Sequence, residues 1–162
     1  MPNEPLTKAF DVDGVIADVS QRLAAARELA EYYGHDFWEV FFSNELLSLD
    51  KPRHAGVKLV RDAHIEGFRV IIITGRPNRL RDFTLKQVIS YTGVKPDAIY
   101  LRRGRDRRSA KVVKAELLGK ALRDGFEVIE YHDDSEDVLR EIKAKYPWIT
   151  LFLHVGDTFQ KY

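Results

Sequence analysis

Four short clusters in the chain carry groups able to act on a phosphoryl centre or hold a cation: Asp11-Val12-Asp13-Gly14, Thr74-Gly75-Arg76, the lysines Lys111 and Lys114, and His132-Asp133-Asp134. Asp11 and Asp13 are two apart, so on an extended strand they leave on one face. Two carboxylates placed together repel, and a buried pair must share a proton or bind a cation. With oxygen ligands and no Cys in the sequence, Mg²⁺ is the natural cation, and Asp133 or Asp134 would complete its site from across a sheet. Thr74 can offer a hydroxyl, Gly75 lets backbone approach closely, and Arg76 presents a planar fork to phosphate oxygens. Given 14 Asp and 10 Gly in 162 residues, Asp-x-Asp-Gly is expected only about 0.07 times by chance, whereas an Asp-Asp pair is expected about once. Alone, Asp133-Asp134 reads as the cap of a helix starting near Ser135, and Thr-Gly-Arg as either a phosphate-binding group or a turn before Pro77. The ordered set, each member at its own strand end or helix start, carries the weight.

The elements that must position these groups alternate. Short apolar runs at 6–10, 68–73, 98–101, 126–131 and 149–155 predict five strands, and helical patterns fill 19–33, 56–65, 80–91, 112–122 and 138–146, the last stopped by Pro147. Such alternation predicts an α/β fold: a parallel sheet, right-handed crossovers and helices on both faces. The β-branched runs 70–73 and 12–16 read as strands buried on both faces. In an open parallel sheet ligands bind beyond the carboxyl ends of the strands, where three of the four clusters fall. Residues 35–54, with Phe37, Trp38, Phe41 and Phe42 but no period, read as a small insertion near those ends. Its aromatic residues either form its core or stack a base. Neither a repeat nor a linker composition is present, so we expect one domain over 1–162.

Composition narrows the chemistry. Apolar residues make 44% and charged residues 31%, an ordinary globular balance that excludes collagen, low-complexity disorder and disulfide scaffolds. The lack of Cys excludes thiol nucleophiles, zinc–thiolate sites and iron–sulfur clusters, and favours a cytoplasmic setting. No apolar run approaches the 18 or more residues of a membrane span, so no membrane is expected, and residues 1–10 lack a secretory pattern. The net charge of +1 conceals a segment, 102–114, that is +6 against a remainder at −5. By itself such a run reads as a solvated face; at the end of a strand it could meet phosphates. The five histidines show no ligand spacing, and His132 reads as a cap or a neighbour of the carboxylates rather than a ligand.

In their order and spacing these clusters resemble the haloacid dehalogenase (HAD) superfamily of phosphatases, whose four motifs run in this order. Within it the chain is most similar to the 3'-phosphatase domain of phage-type polynucleotide kinase/phosphatase. That closer likeness adds Arg22, nine residues after Asp13; Asp106, Arg108 and Val112-Val113-Lys114; and the ending Val155-Gly156-Asp157 with Phe159. The resemblance implies a three-layer Rossmann-like fold with a minimal cap. It implies that Asp11 is the nucleophile forming an aspartyl-phosphate and that Asp13 is the general acid and then base. Thr74 and Lys114, with Lys111 as the alternative, would hold the phosphoryl oxygens. Asp11, Asp133, Asp134 and the backbone carbonyl of Asp13 would hold Mg²⁺. Gly75, Arg76, Arg22, Arg103, Arg105 and Arg108 become substrate-binding candidates. The implied substrate is a phosphorylated nucleic-acid 3' end; a mononucleotide or other small phosphate ester is the alternative within enzymes. An inactive module binding phosphorylated ends or a protein is the alternative outside them, and a separate kinase or ligase partner is left open.

Overall fold

The computed structural model describes residues 4–162. Five parallel strands form the sheet: β1 (Thr7–Phe10), β4 (Arg69–Pro77), β5 (Ala98–Arg102), β6 (Val128–Asp133) and β7 (Thr150–Val155). A sixth, β8 (Thr158–Lys161), pairs antiparallel with β7, giving the order β5-β4-β1-β6-β7-β8. Alternation along the central strands sends successive side chains to opposite faces. Phe10, Val70, Ile72, Ile99 and Leu101 join one core, beneath α4 (His54–Ile65) and α5 (Arg81–Thr92). Ala9, Ile71, Ile73, Tyr100 and Tyr131 join the other, beneath α6 (Ala110–Arg123) and α7 (Glu136–Lys145). The sheet is therefore covered on both sides, as the unbroken Val70–Ile73 run requires.

Two readings need correction. Residues 12–16 are not a strand: the Val12 carbonyl accepts from the amides of Val15, Ile16 and Ala17 at 3.2, 2.9 and 2.9 Å, closing a turn. Gly14 turns the chain with φ of +81°, a conformation that disfavours side chains. The run imitates a buried strand because Val12, Val15 and Ile16 are wholly buried in the core. The sheet also has six strands rather than five. The last was missed because all four of its residues are exposed, so it lacks the apolar alternation that marks a strand.

The insertion is more regular than its sequence suggests. After α1 (Ser20–Tyr33) come the short helices α2 (Phe37–Phe41) and α3 (Asn44–Leu47), capped by the side chains of Asp36 and Ser43. The chain then returns as β3 (Lys51–Pro52), antiparallel to β2 (Ala17–Asp18). Gly56 at the start of α4 lies directly under the Val15 carbonyl, with no room for a Cβ, and the Arg53 amide donates to the Ile16 carbonyl at 2.8 Å. The turn that follows β1 is thereby fixed from the far side of the insertion. Of the four aromatic residues there, Phe41 is buried while Trp38 is 63% exposed; they pack on one another, Phe37 stacking on Phe41 at 5.4 Å between centroids. No helix among the described residues is long and apolar enough to cross a membrane.

Candidate active site

The period-2 geometry that sorts the core also assembles the carboxyl edge. Asp11 follows Phe10 on the face of Ala9, Asp133 follows His132 on the face of Tyr131, and that face is covered by α6, the helix of Lys114. Lys114 Nζ consequently reaches both carboxylates, at 2.7 Å from Asp11 Oδ2 and 2.9 Å from Asp133 Oδ2. All three side chains are buried. Lys111, one helical turn earlier, is exposed. Tyr131 Oη donates to Asp133 Oδ2 at 2.6 Å, and the Ser135 amide donates to Asp133 Oδ1 at 2.9 Å. The capping role is thus split, because the Ser135 hydroxyl accepts from the Val138 amide at the start of α7.

Asp134 closes the cluster, packed against Gly14 so tightly that a Cβ there would collide with its carboxyl. Asp11, Asp133 and Asp134 can each offer an oxygen, all within 4.8 Å of one another. The electrostatics ask for a cation. Burial pushes the Asp11 carboxyl well above the usual range, and Asp133 and Asp134 push it the same way against the pull of the Lys114 ammonium. Burial and then Asp133 raise Asp134 to about 7. One ammonium does not neutralise three carboxylates, and an all-oxygen set with no thiol fits a hard divalent ion.

Asp13 does not join this cluster, because β1 ends at Phe10 and the alternation that would align it with Asp11 stops in the turn. Its Oδ1 accepts from Arg22 Nη2 at 2.6 Å and from Arg76 Nη2 and Nε at 2.7 and 3.2 Å. Burial alone would raise Asp13, but Arg76 and Arg22 bring it down to about 2. Both arginines are wholly buried, and both also reach Asp50. Arg22 Nε and Nη2 donate to Asp50 at 2.9 and 3.1 Å, and Arg76 Nη2 at 3.4 Å. Gln87 Nε2 adds a bond to Asp50 at 3.1 Å, and Arg76 Nη1 donates to Thr84 Oγ1 at 3.1 Å. Two buried guanidinium groups are thus shared between the half-buried Asp13, in the turn after β1, and the buried Asp50, in the insertion.

Thr74 is buried, and its Oγ1 accepts from the Arg76 amide at 3.1 Å. The Gly75 carbonyl accepts from Arg102 Nε at 3.0 Å. Arg103, Arg105 and Arg108 lie in the exposed loop after β5. Arg108 is already engaged there, by Asp106 at 2.8 Å and Glu116 at 2.6 Å. His132 points away from the carboxylates: on the opposite sheet face it lies between Phe10 and Phe152, at 4.6 and 4.8 Å between centroids. There Arg53 Nη1 donates to His154 Nδ1 at 2.7 Å, His154 Nε2 meets His132 Nδ1 at 3.0 Å, and His132 Nε2 meets Glu130 at 3.2 Å. Burial, with His132 and Arg53 adding to it, lowers His154 to about 3.

Sequence reasoning missed Asp50, Gln87, Thr84 and Tyr131. Tyr131 was readable, two residues before Asp133 and so on its face. Asp50 was not, since its partners stand 28 and 26 residues away in other elements.

Comparison with known proteins places this edge in context. No curated protein matches the chain by sequence. A solved structure of the Pnkp1/Rnl/Hen1 complex contains a chain 18% identical, superposing with a TM-score of 0.67 over 94% of this chain and 47% of that one. A structure titled as the RNA repair complex of the same three proteins gives 17%, 0.65, 94% and 43%. This chain spans less than half the length of those relatives. A HAD-superfamily hydrolase of subfamily IA from Geobacter sulfurreducens is 16% identical, with a TM-score of 0.59 over 91% of this chain and 86% of that one. At these identities the structures establish the fold, a HAD-type Rossmann-like sheet. The sequence profile described as the polynucleotide kinase PNKP phosphatase domain matches residues 39–146, which leaves Asp11 and Asp13 before it but includes Thr74, Lys114, Asp133 and Asp134. With two thirds of its length matched, this chain belongs to the PNKP phosphatase domain family of HAD phosphatases.

Proposed function

We propose that the protein is a Mg²⁺-dependent phosphomonoesterase that removes phosphate from the 3' end of a polynucleotide through an aspartyl-phosphate on Asp11. The observation that carries this reading is the Lys114 ammonium shared between Asp11 and Asp133 at the strand ends, beside Asp134. Asp11, Asp133 and Asp134, with the Asp13 backbone carbonyl, would hold the ion, which supplies positive charge against the phosphoryl oxygens. An Asp11 carboxylate oxygen attacks phosphorus and the bond from phosphorus to the 3' oxygen breaks, while Lys114 and Thr74 hold the equatorial oxygens. Asp13 protonates the leaving alkoxide. It then takes a proton from water, which attacks phosphorus and breaks the bond to Asp11, releasing phosphate.

Arg22 and Arg76 hold Asp13 as an anion before substrate arrives. A phosphate dianion entering beside it opposes that clamp, both by its own charge and by competing for the guanidinium groups, and so raises Asp13 toward a proton-donating range. Arg22 and Arg76 therefore act through Asp13 as well as on the substrate. The fold is one domain, with α2 and α3 as its small cap.

The test is Mg²⁺-dependent phosphate release from p-nitrophenyl phosphate and from a 3'-phosphorylated oligonucleotide, each lost in Asp11→Asn. Charge reversal at Arg103 and Arg105 should lower kcat/KM on the oligonucleotide and leave the small ester and its salt dependence unchanged. A preference for free mononucleotides would replace the polynucleotide reading with the small-ester one. Undiminished activity in Asp11→Asn would end the covalent mechanism.

A further inference from the structure

Beyond the catalytic edge, a groove of about 430 Å³ runs along the open side of β5. Its floor is that edge strand. One wall is the short helix Asn78–Leu80 with Arg81, and the other is a single face of α6, residues 113, 116, 117, 120 and 123. Six cationic side chains line it, Arg81, Arg102, Arg103, Arg108, Lys120 and Arg123, against two carboxylates. Those two, Asp106 and Glu116, are both taken up by Arg108. Arg81, Arg103, Lys120 and Arg123 have no carboxylate partner among the described residues, and all four are exposed.

The groove abuts the catalytic edge. Arg102 donates to the Gly75 carbonyl, and an atom placed on Gly75 would lie 3.8 Å from Arg102 Nη2 and 3.9 Å from Lys114 Cε. The end of the groove floor and the site lysine therefore meet at Gly75. From Val113 to Arg123 the helix face extends about 15 Å at 1.5 Å per residue, room for about four phosphates at the 3.4 Å spacing of a stacked strand and fewer if it is extended.

We propose that this groove holds the sugar–phosphate backbone of the single strand leading to the reacting 3' end, with Lys120 and Arg123 gripping phosphates farthest from it. The proposal rests on the 3'-phosphatase reading for the identity of the reacting end. The binding of the strand itself can be measured apart from turnover. An acidic protein segment would offer similar charge, but the uninterrupted passage from groove to catalytic edge suits a polymer whose terminus reacts.

The experiment uses oligothymidylates of two to ten nucleotides, fluorescein-labelled at the 5' end and carrying either a 3'-hydroxyl or a 3'-phosphate. Anisotropy with the 3'-hydroxyl series should show affinity rising with length and levelling off near five nucleotides. The ratio of oligonucleotide to p-nitrophenyl phosphate kcat/KM should rise with it. Lys120→Glu with Arg123→Glu should remove most of both increases. The milder pair Lys120→Gln and Arg123→Gln, on exposed positions that the fold does not need, should reduce the slope of log affinity against log salt by about 0.7 for each phosphate no longer neutralised. Length-independent affinity, or affinity unmoved by these substitutions, overturns the groove. Displacement by polyglutamate as readily as by oligothymidylate overturns it in favour of an acidic protein partner. Length-dependent binding with no turnover of the 3'-phosphate overturns the 3'-phosphatase reading, and with it the groove as a path to the reaction.

Discussion

Asp11 and Asp13 stand two residues apart and end in opposite surroundings, one among carboxylates with a single ammonium, the other between two guanidinium groups. The difference suits the separate roles proposed for them. On that mechanism Asp11→Asn removes the nucleophile and Asp13→Asn the proton carrier; each should lower kcat at least about 100-fold, the effect typical of such groups, while circular dichroism stays native. A residual rate above that in Asp11→Asn would exclude covalent catalysis. Gly14 tests the ion site separately, because a methyl there collides with the Asp134 carboxyl and its φ of +81° resists a side chain. Gly14→Ala should raise the Mg²⁺ concentration for half-maximal activity about tenfold, as displaced ligand support does; an unchanged Mg²⁺ titration would place the ion elsewhere. The candidate residues could be picked out because motif spacing is local. Their division into two clusters was not, because it depends on β1 stopping at Phe10, and the apolar residues 12–16 conceal that stop.

The insertion was legible as an irregular segment, yet the residue it delivers inward was hidden. Asp50 sits just before β3 with no period around it, and only folding brings it to Arg22 and Arg76. Asp50→Ala leaves two buried guanidinium groups to share Asp13 alone, and breaking a buried ion pair from one side costs about 3–5 kcal/mol. Urea denaturation should show that loss. Asp50→Asn keeps one of the two acceptor oxygens but turns an NH2 toward the remaining donors, so it should lose less than Ala while staying destabilised by about 1.5–3 kcal/mol, and its kcat still falls because Asp13 is held more tightly. If KM alone changed, Asp50 would serve substrate binding rather than the setting of Asp13. The five parallel strands were readable from short apolar runs, and the five long helices from their period and from stops such as Pro147. The turn Gly156-Asp157 between β7 and β8 was itself a hairpin signal. It went unread because the strand after it has no buried face.

The molecule as a whole carries two sets of groups whose titration opposes. Asp134, at about 7, and Asp11, above its usual range, bind protons more readily folded than unfolded. Without an ion, the stability that Asp134 confers is present below about pH 4 and lost as pH rises through 7, and Asp11 works in the same direction. On the other face of the sheet His154, at about 3, stays neutral when folded, and burial shifts His132 the same way against the pull of Glu130. Their contribution is present above about pH 6.5, the unfolded value, and is lost as pH falls. Between pH 5 and 6.5 the two sets therefore work against each other, and thermal midpoints measured in EDTA should be nearly flat. Saturating Mg²⁺ requires the carboxylates ionised and removes the first set from the balance. The histidine slope then emerges: stability in Mg²⁺ should rise with pH across that window, by as much as about 1.4 kcal/mol per pH unit for each proton concerned. Asp134→Asn should tilt the EDTA profile in the same direction, since it deletes one of the opposing groups. Parallel profiles with and without Mg²⁺ would mean that the ion does not bind the carboxylates that the fold gathers at the ends of β1 and β6.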